Sequence, residues 1–198
     1  MFLPQPEASE AGLRIRQSSR DTHGFVMNVA QLWSWRPDLF EAFTALRNQL
    51  TSQSALTKRD QAVIVCATAS QLGDSYCSLA WGKTLAAEAT PAVAAAVLAA
   101  NDADGVLTPR DVALIAWVRK VVADPNGTTQ SDVDALKAAG FGDREIFEVT
   151  AFTAFRVAFS AVNDALGATP DWQLFETVPK DVVSAVSYGR APELPSST

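Results

Sequence analysis

Apolar residues recur at three- and four-residue intervals along most of this chain, the spacing of α-helices with one buried face. A clear example follows Pro37, where the apolar positions are Leu39, Phe40, Phe43, Leu46 and Leu50. Residues 26–33 form a shorter segment of the same kind. No segment of useful length alternates apolar and polar residues as a half-buried strand does. The pattern therefore predicts an all-α fold.

The most apolar segment is predicted to be a long helix that Asp143 caps. Its apolar residues fall on most sides of the helix: Ile146, Val149, Phe152, Phe155, Val157 and Phe159. A helix that is apolar all round is buried on more than one side. We therefore expect it to contact a second subunit as well as its own core, in a homo-oligomer.

Two successive helices are predicted around a glycine break near the middle of the chain. Thr57 is a good N-cap for the first helix, with Asp60 in a shortened capping box. Gly73 ends this helix, and Asp74 is placed to cap the next. Cys77 then becomes the third residue of the second helix, where free N–H groups and the helix dipole favour a thiolate.

The first of these helices has an internal echo. The segment LTKRDQAVIVCA, which begins at position 56, returns at position 107 as LTPRDVALIAWV. Such a repeat predicts two copies of one helical unit packed about a local two-fold axis. Asp60 and its counterpart Asp111 are expected to stabilise their helix starts, or to pair with Arg59 or Arg110.

The chain of 198 residues is 48% hydrophobic, so it is long and apolar enough to bury one full core. Residues 1–12 mix proline, glutamate, serine and glycine, and are predicted to be a mobile tail. Residues 13–178 are predicted to form a single helical domain, with a turn at 101–105. Residues 179–198 are predicted to hold one short helix and a frayed end.

The charge pattern excludes several classes of partner. The formal net charge is −6, and no basic stripe is present, so nucleic-acid binding is not expected. No apolar run reaches the roughly 18–20 residues that span a bilayer, and the amino-terminal residues do not resemble a secretory signal. A cytoplasmic protein without membrane contact is the expectation.

Metal and disulfide chemistry are also poorly supported. The single histidine, His23, and two cysteines eleven residues apart do not make a tetrahedral metal site. A disulfide between Cys66 and Cys77 would need their Cα atoms within about 7 Å, which the spacing does not favour. His23 is interpreted as a surface residue, and no metal or tightly held cofactor is expected.

The central helices, with LFEAF upstream and GFGDREIFEV downstream, resemble the carboxymuconolactone decarboxylase and alkylhydroperoxidase AhpD-like proteins, most closely their peroxidase-related branch. The resemblance covers roughly Phe25 to Trp172 and implies an AhpD-like helical bundle with an internal two-fold repeat. The redox motif of that family reads Glu-x11-Cys-x2-Cys-x3-His. Here its four positions hold Ala62, Asp74, Cys77 and Trp81. Only the second cysteine is retained.

The resemblance implies a first hypothesis, thiol-dependent reduction of a hydroperoxide by Cys77. Asp74 would be the second catalytic residue, and an external thiol would be the reductant because the partner cysteine is missing. The helix start should lower the pKa of Cys77, whereas the Asp74 carboxylate and the apolar Trp81 should raise it. The alternative is that Cys77 is a buried packing residue.

Two further hypotheses remain open. The chain could be a non-catalytic oligomeric or small-molecule-binding member that lost the redox relay, with Tyr76, Trp81, Trp117 and Arg156 lining its pocket. It could instead be a decarboxylase-like enzyme on a small acid or lactone, with Asp74 as a base whose pKa burial raises.

Arg156 needs a partner, because a charge in so apolar a helix is costly to bury alone. The candidate partners are Asp60, Asp111, Asp164 and the carboxylate of a ligand. An ion pair within the protein is the favoured interpretation.

Overall fold

The computed structural model describes residues 1–102 and 105–192. These residues form eleven α-helices and no β-strand, so the predicted all-α fold is confirmed. The helices are α1 Glu10–His23, α2 Asn28–Trp33, α3 Pro37–Ser52, α4 Lys58–Leu72, α5 Ser75–Glu88, α6 Pro91–Ala99, α7 Pro109–Ala123, α8 Gln130–Ala138, α9 Asp143–Ala165, α10 Trp172–Thr177 and α11 Lys180–Ala185. The predicted turn at 101–105 and the predicted frayed end lie partly outside the described residues.

The internal repeat corresponds to α4 and α7, which pack against each other. Both helices begin with the same reciprocal capping box. The hydroxyl of Thr57 accepts the backbone N–H of Asp60 at 3.0 Å, and Thr108 accepts that of Asp111 at 3.1 Å. Each aspartate in turn accepts the backbone N–H of its threonine. Equivalent sequence therefore gives equivalent helix starts.

The two copies are also joined by reciprocal ion pairs. Arg59 of α4 binds the carboxylate of Asp111 with both terminal nitrogens, with 2.9 Å between Nη2 and Oδ2. Arg110 of α7 binds Asp60 at 3.4 Å and Glu145 of α9 at 3.0 Å. Each arginine thus pairs with the aspartate of the opposite copy, the arrangement expected of two units about a local two-fold axis.

Helix α4 lies at the centre of the bundle. Every residue from Ala62 to Ala69 is buried, because α5, α6, α7 and α9 pack around it. Residues on every side of the helix, Ile64 and Ala67 among them, are fully buried. This burial on all sides fixes the position of α4, and with it the start of the segment that follows its carboxyl end.

Helix α1 was not predicted, and it begins inside the segment expected to be a tail. The hydroxyl of Ser9 caps it by accepting the N–H of Gly12 at 3.1 Å, and Gly24 ends it with a φ of 83°. The residues between these caps are too polar to show a clear apolar stripe. Phe2 also contacts the bundle, where its N–H donates to the carbonyl of Leu166 at 3.0 Å.

Helix α3 differs from its prediction. Its five apolar residues were expected to form a buried face, but none of its residues is fully buried. Leu39 and Leu46 are exposed, while Phe40 and Phe43 are partly buried. The reason is that α3 borders a cavity: Phe40 and Phe43 pack against core residues such as Trp33 and also line this space.

Helix α9 packs against α4 and α7, and α11 packs against α5 and α6. Gly142, and not Asp143, caps α9, with its N–H donating to Glu145 at 2.7 Å. On the far side of α5, an added Cβ at Gly82 would lie 2.5 Å from the side chain of Val182, so α11 packs directly on the α5 backbone. Among the described residues, none of the helices combines the length and apolarity that a membrane crossing requires.

Candidate functional site

The amino end of α5 is built as its sequence suggests. Gly73 ends α4 in the left-handed region with a φ of 73°, which allows the chain to reverse. Asp74 then caps α5, and its Oδ1 accepts the backbone N–H of Cys77 at 2.8 Å. Cys77 therefore stands in the first turn of a capped helix, and only 3% of its surface is exposed to solvent.

Among the described residues, two polar side chains of α9 contact the sulfur of Cys77. Nη2 of Arg156 donates to Sγ at 3.1 Å, and the hydroxyl of Ser160 lies 3.8 Å from the same atom. These two residues are four apart, so they share one face of the helix. The guanidinium of Arg156 also lies 5.6 Å from the ring centroid of Trp81 and 5.2 Å from that of Phe159.

Burial dominates the acidity of this thiol. Removal from water raises the pKa of Cys77 well above its usual value, the positive charge of Arg156 lowers it, and the carboxylate of Asp74 raises it again. The pKa of Cys66 is also raised by burial, in the core of α4. Cys77 differs because a cation contacts its sulfur directly. Arg156 lowers the pKa of both thiols, but it contacts only the sulfur of Cys77.

Cys77 opens onto a large cavity of about 880 Å³ between α1, α3, α5 and α9. Its walls are mostly apolar, with a few charged and hydroxyl groups. The lining residues used below are Phe40, Phe43, Arg47, Tyr76, Cys77, Trp81, Phe155, Arg156 and Phe159. A cavity of this size and composition suits a small organic molecule.

The structure brings together most of the residues that the sequence selected. Tyr76, Cys77, Trp81 and Arg156 all line the cavity. Asp74 lies behind them as the helix cap and does not line the cavity. The structure corrects the prediction that Trp117 lines the pocket. This residue lies on α7, where its indole N–H donates to Thr150 at 3.0 Å, and it does not line the cavity.

The expected ion pair of Arg156 is also corrected. Asp60 and Asp111 bind Arg110 and Arg59, and no carboxylate of the described residues lies within ion-pair distance of Arg156. Its side chain is nevertheless buried, with 4% exposed, and its Nε has no hydrogen-bond acceptor within the described part of the chain. The buried guanidinium is therefore balanced by the sulfur and by aromatic faces alone among these residues.

Two other ionisable side chains, Tyr76 and Asp164, have raised pKa values. The hydroxyl of Tyr76 donates to Asp171, which also accepts the backbone N–H of Asn28 at 2.9 Å. Burial and the charge of Asp171 raise the pKa of Tyr76, so this phenol stays protonated. Asp164 is half-buried, and burial together with the nearby Asp74 carboxylate raises its pKa to about 6.

Sequence reasoning missed Arg47, Phe159 and Ser160. Arg47 lies on α3 and lines the same cavity as Arg156, and both partial burial and the charge of Arg156 lower its pKa. No local signal connects a polar residue of α3 with the start of α5. Ser160 could have been found, because it follows Arg156 by one helical turn. His23, interpreted as a surface residue, is exposed and lines the cavity.

The described residues do not hold three or more histidine, cysteine, aspartate or glutamate side chains grouped to bind a metal ion. What the arrangement offers is a thiol, a cation on its sulfur and an apolar space in front. These are the elements of nucleophilic thiol chemistry on a small molecule.

Comparison with solved structures agrees with this architecture. The chain is similar to an alkylhydroperoxidase AhpD core, an uncharacterized peroxidase-related protein from Ralstonia eutropha JMP134, with 30% identity over 90% of this chain and 97% of that chain and a TM-score of 0.79. It is also similar to an uncharacterized peroxidase-related protein from Silicibacter sp. TM1040, with 21% identity over 87% of this chain and 93% of that chain and a TM-score of 0.76.

A more distant likeness, which shows the fold alone, is to the debrominase Bmp8. Its apo structure is 13% identical, with coverage of 94% and 98% and a TM-score of 0.71. A cysteine-to-alanine variant of Bmp8 in complex with 2,3,4-tribromopyrrole has a TM-score of 0.67 at the same identity, with coverage of 94% and 97%.

No protein-family model matches the sequence, and no curated protein matches it either. The solved structures decide the matter, because the first of them is 30% identical to this chain over nearly its whole length. The chain belongs to the AhpD-like family of peroxidase-related proteins.

Proposed function

We propose that this protein reduces organic hydroperoxides with Cys77 as the attacking thiol. The observation that carries the proposal is the 3.1 Å contact between Nη2 of Arg156 and Sγ of Cys77 at the wall of an apolar cavity. A guanidinium in this position stabilises the thiolate and the negative charge that develops as the O–O bond breaks.

The reaction is balanced by one proton. The thiolate of Cys77 attacks the outer oxygen of the hydroperoxide, an S–O bond forms, and the O–O bond breaks toward the inner oxygen. The proton lost by the thiol ends on that inner oxygen, so the products are a cysteine sulfenic acid and an alcohol. Sulfur is oxidised and the peroxide is reduced.

Asp74 is the proposed transient acceptor of the thiol proton. Its Oδ1 fixes the first turn of α5 through the N–H of Cys77, and its Oδ2 is buried with no hydrogen-bond donor among the described residues. The free oxygen can hold the thiol proton during attack, and the proton then reaches the leaving oxygen through water, because Asp74 itself does not line the cavity. Asp74 thus occupies the position at which the family motif places its first cysteine.

The sulfenic acid is resolved by an external thiol. Cys66 is fully buried in the core of α4, so it cannot serve as an internal partner without unfolding. A first thiol molecule condenses with the sulfenic acid to give a mixed disulfide and water. A second thiol molecule attacks that disulfide and restores Cys77.

A second candidate function is ligand binding without turnover. The raised pKa of Cys77 favours it, because burial keeps the sulfur protonated at neutral pH and a thiol is a poor nucleophile. Decarboxylase-like chemistry receives less support. A base must reach its substrate, and Asp74 does not line the cavity.

The test is the consumption of cumene hydroperoxide in the presence of dithiothreitol, with Cys77→Ala and Cys66→Ala as matched variants. Both changes remove one buried sulfur from neighbouring helices, but only the first removes the proposed nucleophile. We expect Cys77→Ala to lower turnover about hundredfold or more and Cys66→Ala to change it about twofold at most. Circular dichroism is used to check that both variants are folded.

Equal turnover by the Cys77→Ala variant would contradict the proposal. No turnover by the native protein, together with ligand binding in the cavity, would select the second candidate. Bromide release from 2,3,4-tribromopyrrole is measured in parallel, since a Bmp8 variant binds that compound. Release that needs Cys77, without peroxide turnover, would assign the thiol to a halogenated substrate instead.

A further inference from the structure

Two guanidinium groups face the same cavity, and neither has an acidic partner among the described residues. Arg156 is buried, donates Nη2 to Cys77 and leaves its Nε without an acceptor. Arg47 makes a long hydrogen bond of 3.4 Å to the side chain of Asn48 on its own helix. A buried cation such as Arg156 costs free energy unless an anion joins it.

The electrostatics point in the same direction. Partial burial and the positive charge of Arg156 together lower the pKa of Arg47, so the two groups repel each other across the cavity. Arg14 also lines the cavity, but it is already paired with Glu10 at 2.9 Å. Glu41 is an acidic residue on the wall, and no ion pair joins it to either guanidinium within the described chain.

The rest of the cavity is apolar and aromatic. Phe43, Phe155 and Phe159 form a continuous group of rings, with centroids 5.6 Å apart for the first two and 6.4 Å apart for the last two. Trp81 lies on the other side of Arg156. A ligand that satisfies this site needs an apolar or aromatic body and one anionic end.

We infer that the cavity selects organic carboxylates, and that the substrates of Cys77 are hydroperoxides of such acids. The carboxylate binds between the guanidinium groups of Arg156 and Arg47, which both line the cavity, and the body lies against the phenylalanine rings. Nη2 of Arg156 stays on the sulfur. One arginine thus orients the substrate and stabilises the thiolate at once. The inference rests on the proposed function for its substrate, but carboxylate binding is measurable without any turnover.

The first measurement is calorimetric binding of naphthalene-2-carboxylate and of its neutral isostere, naphthalene-2-carboxamide. The two probes share size and shape and differ in charge. On the native protein we expect the carboxylate to bind about tenfold or more tightly than the amide, because a charge-assisted hydrogen bond to arginine distinguishes them. Equal affinity, or no binding of either probe, would overturn the inference.

The variants locate the anion site. Arg156→Gln and Arg47→Gln should each bring the affinity for the carboxylate close to that for the amide. Arg47→Gln alters an exposed residue of α3, so it keeps the test valid if Arg156→Gln does not fold. Arg119→Gln is the matched control, because burial lowers the pKa of Arg119 as well but this residue lies outside the cavity. Loss of carboxylate preference in Arg119→Gln alone would overturn the inference.

A turnover comparison keeps the two proposals separate. Rates for a carboxylate-bearing hydroperoxide and for neutral cumene hydroperoxide are measured on the native and Arg47→Gln proteins. A preference for the anionic substrate that Arg47→Gln removes supports the inference. Equal rates through Cys77 would overturn it and leave the peroxidase proposal standing. Tight carboxylate binding with no turnover of either substrate would overturn the peroxidase proposal and leave the anion site.

Discussion

Among the described residues, charged side chains are paired at the amino end of α4, whereas Asp74 and Arg156 near its carboxyl end lack oppositely charged partners. At its amino end, Asp60 and Asp111 each accept a helix-capping hydrogen bond and an arginine from the other copy of the repeat. At its carboxyl end, the chain enters the start of α5. There Asp74 has a buried oxygen without a donor and Arg156 is buried without a carboxylate, among the residues that the structure describes.

The contrast separates the part of the fold that carries stability from the part that we propose carries chemistry. Paired and hydrogen-bonded charges add modestly to stability, while isolated buried charges cost several kcal/mol. Such costs persist in native proteins where a function needs them. The repeat end of α4 therefore acts as a scaffold, and its other end keeps reactive groups in place.

The largest effect should come from breaking the scaffold end. Asp111→Ala removes a helix cap and both hydrogen bonds of a largely buried carboxylate to Arg59, so we expect a loss of about 2–4 kcal/mol in the free energy of unfolding. Asp60→Ala should cost less, about 1–2 kcal/mol, because Arg110 keeps Glu145 and its contacts to Asp60 are longer. Urea unfolding at pH 7 measures both. A larger loss for Asp60→Ala than for Asp111→Ala would contradict this ranking.

A change at the site end should alter reactivity and not stability. Arg156→Leu removes the positive charge that lowers the pKa of Cys77, so a smaller fraction of the sulfur is thiolate at any pH below that pKa. We expect alkylation of Cys77 by iodoacetamide at pH 8 to slow about tenfold, the effect of one pKa unit. Alkylation in the native protein should still rise with pH beyond about 8.5, the usual cysteine pKa.

Mass spectrometry of the alkylated peptides follows this reaction, with the fully buried Cys66 as the internal control. The unfolding free energy of Arg156→Leu should equal or exceed that of the native protein, because an unpaired buried charge is lost. Unchanged alkylation kinetics would show that the contact between guanidinium and sulfur has no electrostatic effect.

The smallest effect should be a stabilisation through Asp164→Asn. The pKa of Asp164 is about 6 in the fold and about 3.9 when unfolded, so the native state holds its proton more tightly. The native protein should therefore lose stability as the pH rises from about 4 to 6, and stay level above. After a discount for its half-exposed position, Asp164→Asn should gain about 1 kcal/mol at pH 7 and nothing near pH 4.

Asp111 is a control for the same titration, because folding lowers its pKa whereas folding raises that of Asp164. Burial raises its pKa, but hydrogen bonds from Arg59 and Thr108 bring it below the ordinary value. Its contribution to stability is present above about pH 4 and is lost at more acidic pH. Unfolding measured from pH 3 to 7 on both single variants separates the two slopes. A native slope between pH 4 and 6 that survives in Asp164→Asn would contradict the assignment.

The elements nearest the sulfur could be predicted because their signals are local. Thr57, Gly73 and Asp74 each act within three or four residues, and all three cap as expected. The repeat was also visible, since it preserves both the threonine and the aspartate of the helix start. These features fix the fold and the place of Cys77.

The cavity could not be predicted to the same degree, because it depends on distances between elements far apart in sequence. Nothing in α3 indicates that Arg47 faces the same cavity as Arg156, or that Phe40 and Phe43 line it. Trp117 looked like a pocket residue because it is aromatic and lies in the repeat. It faces Thr150 because α7 packs against α9 on the scaffold side.

The depth of both sulfurs has a practical consequence. Cys66 is fully buried and Cys77 is 3% exposed, so neither can touch a sulfur on another protein molecule while the chain is folded. Covalent dimers on a non-reducing gel therefore reveal how many molecules have opened. Storage without reductant tests the integrity of the preparation, and a mixed disulfide of glutathione with the fully buried Cys66 marks the unfolded fraction.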